Sequence, residues 1–258
     1  MLILLPPSEG KTPAVSGTPV DLDELSLPSL NPTRERMLKS LVKLSQGQPA
    51  RAGRVLGVSE RQIEEIVRNR SLWEAPAAPA SQVYSGVVYD TLDYASLPAP
   101  ARRRLDRWVL VSSALWGAVR LTDWIPAYRL SSGVTLPRIG PVATAWRKPL
   151  SAVMPEVAGA GVVFDLRSGS YASMWTPQDE NALVARVVQR LGDGSLRVVS
   201  HHNKATKGRL VRDLSRQSST PSSVNELINL LGVLGYETAE KAAKPDHPRH
   251  VDIIVAEI

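Results

Sequence analysis

Apolar and polar positions change over along this chain in short runs, which predict a mixture of short strands and helices. Residues 2–5 form an unbroken apolar run closed by Pro6-Pro7, which cannot continue a central strand, so 1–5 reads as a short buried strand. Residues 13–32, rich in Pro, Ser and Gly, read as loop. In 33–44 the apolar positions 37, 38, 41, 42 and 44 follow the helical repeat, with Thr33 as N-cap. Residues 53–70 read as two short helices around Gly57-Val58-Ser59. Ser59 and Gln62 form a capping box there, and Ile63, Ile66 and Val67 share a face.

Further along, 75–81 is a Pro/Ala spacer, 83–95 opens extended and turns polar, and 98–107 starts a helix bearing Arg102, Arg103, Arg104 and Arg107. The strongest central-strand pattern is 108–116, ending at Gly117. Residues 141–153 are helical with Trp146 on the core face, and 162–166 is a buried strand. A strand over 196–200 feeds His201-His202, a helix begins at 208–214, and another covers 223–232 behind Ser222 or Ser223. Residues 236–241 and 251–256 resemble a terminal antiparallel pair. Short strands separated by helices and irregular loops predict an α+β or mixed α/β fold.

The chain has 258 residues, 43% hydrophobic and 22% charged, enough for one large domain or two small ones. It has no cysteine, which excludes disulfides, zinc–thiolate sites, iron–sulfur clusters and thiol chemistry within the chain. No apolar stretch approaches bilayer length, so a cytoplasmic protein without a membrane partner is expected. The net charge of +6 is unevenly spread: residues 197–216 carry six Lys/Arg and one Asp, nearly the whole excess. That bias suits an anionic partner, a phosphate-bearing small molecule or nucleic acid, or else a solvated helix face.

Several strands end in polar loops: PPSEGKT, SSALWG, DLRSGSY and SHHNKATKGR. If those strands are neighbours, the loops line one cleft. PPSEGKT ends like a phosphate-binding P-loop, yet position 5 is Leu where the motif needs Gly, and its two prolines lack the N–H groups that cradle phosphate. What remains is Glu9 and Lys11 at a strand mouth. In NKATKGRLVR, Lys204, Lys207 and Arg209 at a helix start suit phosphate. His201 and His202, adjacent on a strand, would point to opposite faces, so no metal is expected. Serines 113, 168 and 170 have no Gly-x-Ser-x-Gly setting, which argues against a serine hydrolase. Tyr128 and Arg129 follow Pro126, and Asp165 ends a strand.

Together LILLPPSEGKT, VYSGVVYDTLD, SSALWGAVRLTDWIPAYRL, VFDLRSGSYASMW and NKATKGRLVRDL resemble the YaaA family, also called the peroxide stress protein or UPF0246/DUF328 family, over nearly the full chain. The resemblance implies a single α+β domain over 1–258 around a positively charged cleft, with a helix-hairpin-helix-like element in an insert at about 33–72. It also implies DNA binding that limits oxidative damage. Carried over by position, the cleft cations would be Lys11, Arg129, Lys204 and Lys207, with Arg209 beside them. Family members that begin closer to SPAKTL keep the lysine; the glutamate is an addition in this chain.

Two principal readings follow. One is a DNA-binding protein of the peroxide response, acting through a cationic cleft without a cofactor. The other is an enzyme acting on a nucleotide, nucleoside or nucleobase in that cleft, with Glu9, Tyr128 and Asp165 as candidate catalytic groups. A structural or adaptor protein with an incidental basic face is the third.

Overall fold

The chain's apolar runs fold into one large sheet with helices packed around it. A computed structural model describes residues 1–167, 169–198, 200–242 and 246–255, the side chains of 200–202 excepted. In chain order the strands are β1 (Leu2–Leu5), β2 (Ala78–Pro79), β3 (Val109–Ser113), β4 (Gly117–Val119), β5 (Trp124–Ile125), β6 (Thr135–Leu136), β7 (Gly140–Pro141), β8 (Val163–Asp165), β9 (Ala182–Arg190), β10 (Leu196–Arg197), β11 (Glu237–Glu240) and β12 (Arg249–Val255). The helices are α1 (Asn31–Gln46), α2 (Pro49–Leu56), α3 (Ile63–Asn69), α4 (Ala80–Val83), α5 (Val87–Leu92), α6 (Ala99–Trp108), α7 (Val142–Ala158), α8 (Gly169–Ala172), α9 (Ser200–Ser215) and α10 (Val224–Val233).

The main sheet runs β11-β12-β9-β8-β1-β3-β4, with β10 as a short return along β9. β12, β9, β8, β1 and β3 are parallel to their neighbours within this run; β11 and β4 are antiparallel edges. The fold is therefore mixed α/β with a mostly parallel sheet, not a segregated α+β arrangement. β1, β3 and β8 are buried throughout; β1 is wholly apolar, while β3 ends in Ser112-Ser113 and β8 in Asp165, all buried. From β1 the chain passes to β3 on one side, and from β8 to β9 on the other, so the winding direction reverses between β1 and β8. That is the topological switch point, where open α/β sheets form a crevice at the carboxyl ends of their strands.

Several expectations are corrected. The helix predicted to start at Thr33 starts at Asn31, and Thr33 lies buried inside it. Residues 83–95 are extended only at their opening, where Tyr84 bridges Lys11; α5 follows, with Gly86 at φ 92 opening it. The strand expected over 196–200 is only two residues, and the helix expected from Gly208 begins at Ser200. β9 is absent from the predicted elements although it joins β8 to β12. The Ser59–Gln62 capping box is present, between α2 and α3, in a helical hairpin packed on α1. Within it Ile66 is fully buried, whereas Ile63 and Val67 are exposed and do not share its face.

Two close packings fix the layers. Gly117 has φ 76, and a Cβ there would lie 2.6 Å from the Trp146 ring, itself held by a hydrogen bond from Nε1 to Ala114 O. Gly208 lets α9 touch α5, since a Cβ would meet Thr91 Oγ1 at 2.0 Å and Val88 O at 2.2 Å. Fully buried Arg34 donates to the carbonyls of Trp116, Ala118 and Ser26, tying α1 to β4. Among the described residues no helix is long and apolar enough to cross a membrane.

Candidate functional site

Three of the four polar loops do leave neighbouring strands on one edge of the sheet: PPSEGKT follows β1, SSALWG follows β3 and DLRSGSY follows β8. The fourth, SHHNKATKGR, lies in α9, which is anchored to the sheet by Asn203 Nδ2 donating to Val187 O. Ser168 and the side chains of His201 and His202 lie outside the described residues.

The loop after β1 holds its shape through donors from elsewhere, because Pro6 and Pro7 have none of their own. Tyr89 donates its hydroxyl to Pro6 O at 2.8 Å, Thr12 N bonds Val83 O at 2.8 Å, and Ser85 N bonds Ser8 Oγ at 3.1 Å. An isolated β-bridge joins Lys11 to Tyr84. The Lys11 side chain then folds back: Nζ donates to Ser8 O at 2.8 Å and to Glu9 O at 3.5 Å, and lies 4.2 Å from the Tyr128 ring centroid and 5.5 Å from that of Tyr84. Burial pushes the Lys11 ammonium down to about 7, against the opposing field of Glu9.

Beneath Lys11 runs a buried hydroxyl chain. Tyr84 and Tyr128 meet at 3.1 Å, Tyr128 and Ser113 at 2.7 Å, and Ser113 Oγ accepts from Trp116 N. Burial raises the proton affinity of both phenols, so at neutral pH they are neutral hydrogen-bonding groups and not bases. Ser113, the last residue of β3, thus reaches the site through Tyr128.

Arg129 is positioned at both ends. Buried Asn69 of α3 grips its backbone, donating to its carbonyl at 2.8 Å and accepting from its N–H at 2.9 Å. Its guanidinium pairs with Glu9 at 2.9 Å and Glu65 at 3.3 Å, although Nε has no aligned hydrogen-bond acceptor. Two carboxylates therefore offset the arginine that was expected to face phosphate.

Asp165 belongs to a second cluster. Arg167 donates to both of its oxygens, Nε at 2.9 Å and Nη2 at 2.7 Å, and also bonds the Trp175 carbonyl; both side chains are buried. Lys207, also buried, is pushed down to about 8 by desolvation, with Asp165 opposing and Lys204 adding to the shift. Tyr171 stands between the clusters: its carbonyl accepts from Arg167, and its phenol lies in the field of Glu9.

The predicted residues thus fall into separate groups. Lys11, Glu9, Tyr128 and Arg129 come together; Asp165, Lys207 and Lys204 form the second group. Arg209, two residues beyond Lys207 and about 200° further around the helix, sits with Asp213 and Tyr236 instead. The lysines of NKATKGR lie within α9, not at a free helix start. Glu65, Tyr84, Arg167 and Tyr171 belong to the site and were not singled out from the sequence. The bridge pairing of Lys11 with VYSGVVYD would have pointed to Tyr84. Among the described residues no group of three or more His, Asp or Glu could hold a metal.

Away from the strand ends lies an open groove of about 780 Å³ between α1, α2 and the 137–139 loop. It is lined by Arg36, Lys39, Lys43, Arg51 and Arg138, all exposed; of these, Lys39 pairs with Glu35 at 2.5 Å.

A family model described as "Peroxide stress protein YaaA" matches residues 1–242. The chain is similar to a UPF0246 protein of Streptomyces coelicolor, 48% identical over 259 residues and covering 100% of both chains. It is 39% identical over 259 residues to a UPF0246 protein of Corynebacterium glutamicum, covering 99% of this chain and 100% of the relative. A UPF0246 protein of Corynebacterium efficiens is 42% identical over 238 residues, with 90% of this chain and 94% of the relative covered. With the family model and these relatives running the length of its sheet, site loops and helical hairpin, this chain belongs to the YaaA peroxide stress protein family.

Proposed function

We propose that this protein binds DNA in the cytoplasm during peroxide stress, holding the phosphate backbone in the groove between α1, α2 and the 137–139 loop. The observation that supports this reading is the groove's charge: five exposed Lys and Arg side chains, of which Lys39 alone has an ion-pair partner among the described residues. Arg36, Lys39 and Lys43 lie along roughly 10 Å of the α1 axis, over which one DNA strand carries about three phosphates. Cations in such a row take up backbone phosphate without reading sequence. Lys204, exposed beside Lys207, is a candidate additional phosphate contact.

The strand-end site favours a second activity at the same nucleic acid. A lysine of lowered proton affinity, a tyrosine pair and a carboxylate at a switch point are the groups of a reaction centre, and a coat for DNA does not need them. The DNA reading is tested by anisotropy titrations of a labelled duplex at rising salt. Affinity is expected to fall steeply between low and physiological ionic strength, and Arg51→Glu with Arg138→Glu to weaken it at least ten-fold. Binding that ignores both salt and these substitutions overturns it.

A further inference from the structure

We infer that Lys11 is an amine nucleophile for aldehydes, and that its substrate is the ring-opened sugar of a base-free site in DNA. The inference rests on the DNA-binding reading and deepens it by naming the chemistry of the strand-end site.

Position comes first. Lys11 follows the central strand β1, beside the switch point, and the residue is partly exposed. The amine's hydrogens are already assigned: the two N–H bonds of a neutral amine match Ser8 O and Glu9 O, leaving the lone pair for attack. The buried rings of Tyr84 and Tyr128 stand next to it and fix its place.

The charge of the site selects the electrophile. Arg129 is held by Glu9 and Glu65, and Lys11 loses its proton near pH 7. Around Lys11 the charges of Arg129 and Arg68 and those of Glu9 and Glu65 offset one another, and what the site presents is an unprotonated amine, the form that adds to a carbonyl carbon. Lys207 also has a lowered proton affinity but is 4% exposed and faces Asp165, whereas Lys39, Lys43 and Lys204 are solvated. Among the described lysines, Lys11 and Lys207 have lowered proton affinity, and of the two Lys11 is the one partly exposed. In DNA the available aldehyde is C1′ of a deoxyribose that has lost its base, a lesion produced when peroxide-derived radicals attack nucleotides.

The step balances without a cofactor. The Lys11 nitrogen forms a bond to C1′ as the carbonyl π pair moves to oxygen, and a proton passes from nitrogen to that oxygen. The carbinolamine then expels the oxygen as water while the nitrogen lone pair forms the C=N bond. Glu9, whose side chain is 57% exposed and whose charge acts most strongly on Lys11, relays the protons.

The experiment incubates the protein with a labelled duplex carrying one abasic site in the presence of sodium borohydride, which reduces an imine to a stable amine. The expected result is a covalent protein–DNA band on a denaturing gel, with the adduct mapped to the Lys11 peptide. Its rate should rise with pH to a plateau above about 7, and the band should fall at least ten-fold in Lys11→Arg. Because mapping is done on the unmodified protein, the outcome does not depend on how the variant folds. Binding of an intact duplex is read in parallel. No band from protein that binds intact duplex, or an adduct on the Met1 amine or another lysine, overturns the inference and leaves the DNA reading standing. If intact duplex is not bound, the DNA reading fails by itself. Borohydride with 2-deoxyribose 5-phosphate then decides the nucleophile: an adduct on Lys11 upholds it, and none overturns it.

Discussion

Lys11 Nζ lies 4.2 Å from the centre of the Tyr128 ring, although the two residues are 117 positions apart and reach each other from the loop after β1 and the segment after β5. The ring attracts the ammonium form, yet the loss of hydration outweighs that attraction together with the field of Glu9. A charged lysine is therefore a net cost to the folded state, and the cost has a definite pH dependence.

Below about pH 7 Lys11 is protonated whether the chain is folded or not, and the full cost is present. Between 7 and the ordinary lysine value of 10.5, the folded state has released its proton while the unfolded state keeps it, so the cost shrinks as pH rises. Lys11→Met should accordingly melt above wild type at pH 6, and the gap should narrow steadily towards pH 10. Thermal melts across that range check it; a gap that is constant or widens with pH contradicts the assignment.

Asp165→Asn leaves the buried Arg167 guanidinium without its counter-charge, which should cost about 3–5 kcal/mol in urea unfolding. The same substitution removes the charge that supports protonation of Lys207, so that lysine should lose its proton at still lower pH. Lysine side-chain NMR reads the second effect.

Gly208→Ala should force α9 away from α5 and destabilise the fold by about 1–3 kcal/mol or more, since the added carbon meets the backbone of Val88 as well as Thr91 Oγ1. Gly57→Ala, at a left-handed turn with nothing within 4 Å, should cost less and only through strain. Denaturation midpoints of the pair separate crowding from conformation.

If the groove holds phosphates, removing one contact should lower the slope of log affinity against log salt by about 0.9. Arg51→Ala and Arg138→Ala should each do so, and their double variant should lose close to twice as much.

Legibility in the sequence followed where each element's partners lie. β1, β3 and β8 are apolar along all or most of their length and could be read locally. β9 could not: its Arg186 interrupts the apolar run and is balanced by Asp252 on β12, 66 positions away. Residues 83–95 carry strand-forming Val and Tyr, but Gly86 and the contact with Gly208 decide for helix. In the site, Lys11, Tyr128 and Arg129 could be found as polar residues beside strand ends or a proline turn. Glu65 could not, because only the folding of α3 onto Arg129 gives it a role. The cationic stretch 197–216 was legible as charge, yet a helix distributes its side chains around an axis, so one run in sequence is several faces in space.

The α5–α9 contact also restricts how the protein can move. Besides the touching backbones at Gly208, Thr91 Oγ1 donates to Ala205 O, and Arg212 donates to the carbonyls of Leu92 and Asp93. Tyr89 of α5 holds Pro6 at the root of the Lys11 loop, while α9 carries Lys207. The two helices are packed as one unit that touches both clusters, so a shift of α5 that carried the Lys11 loop with it would also displace Lys207.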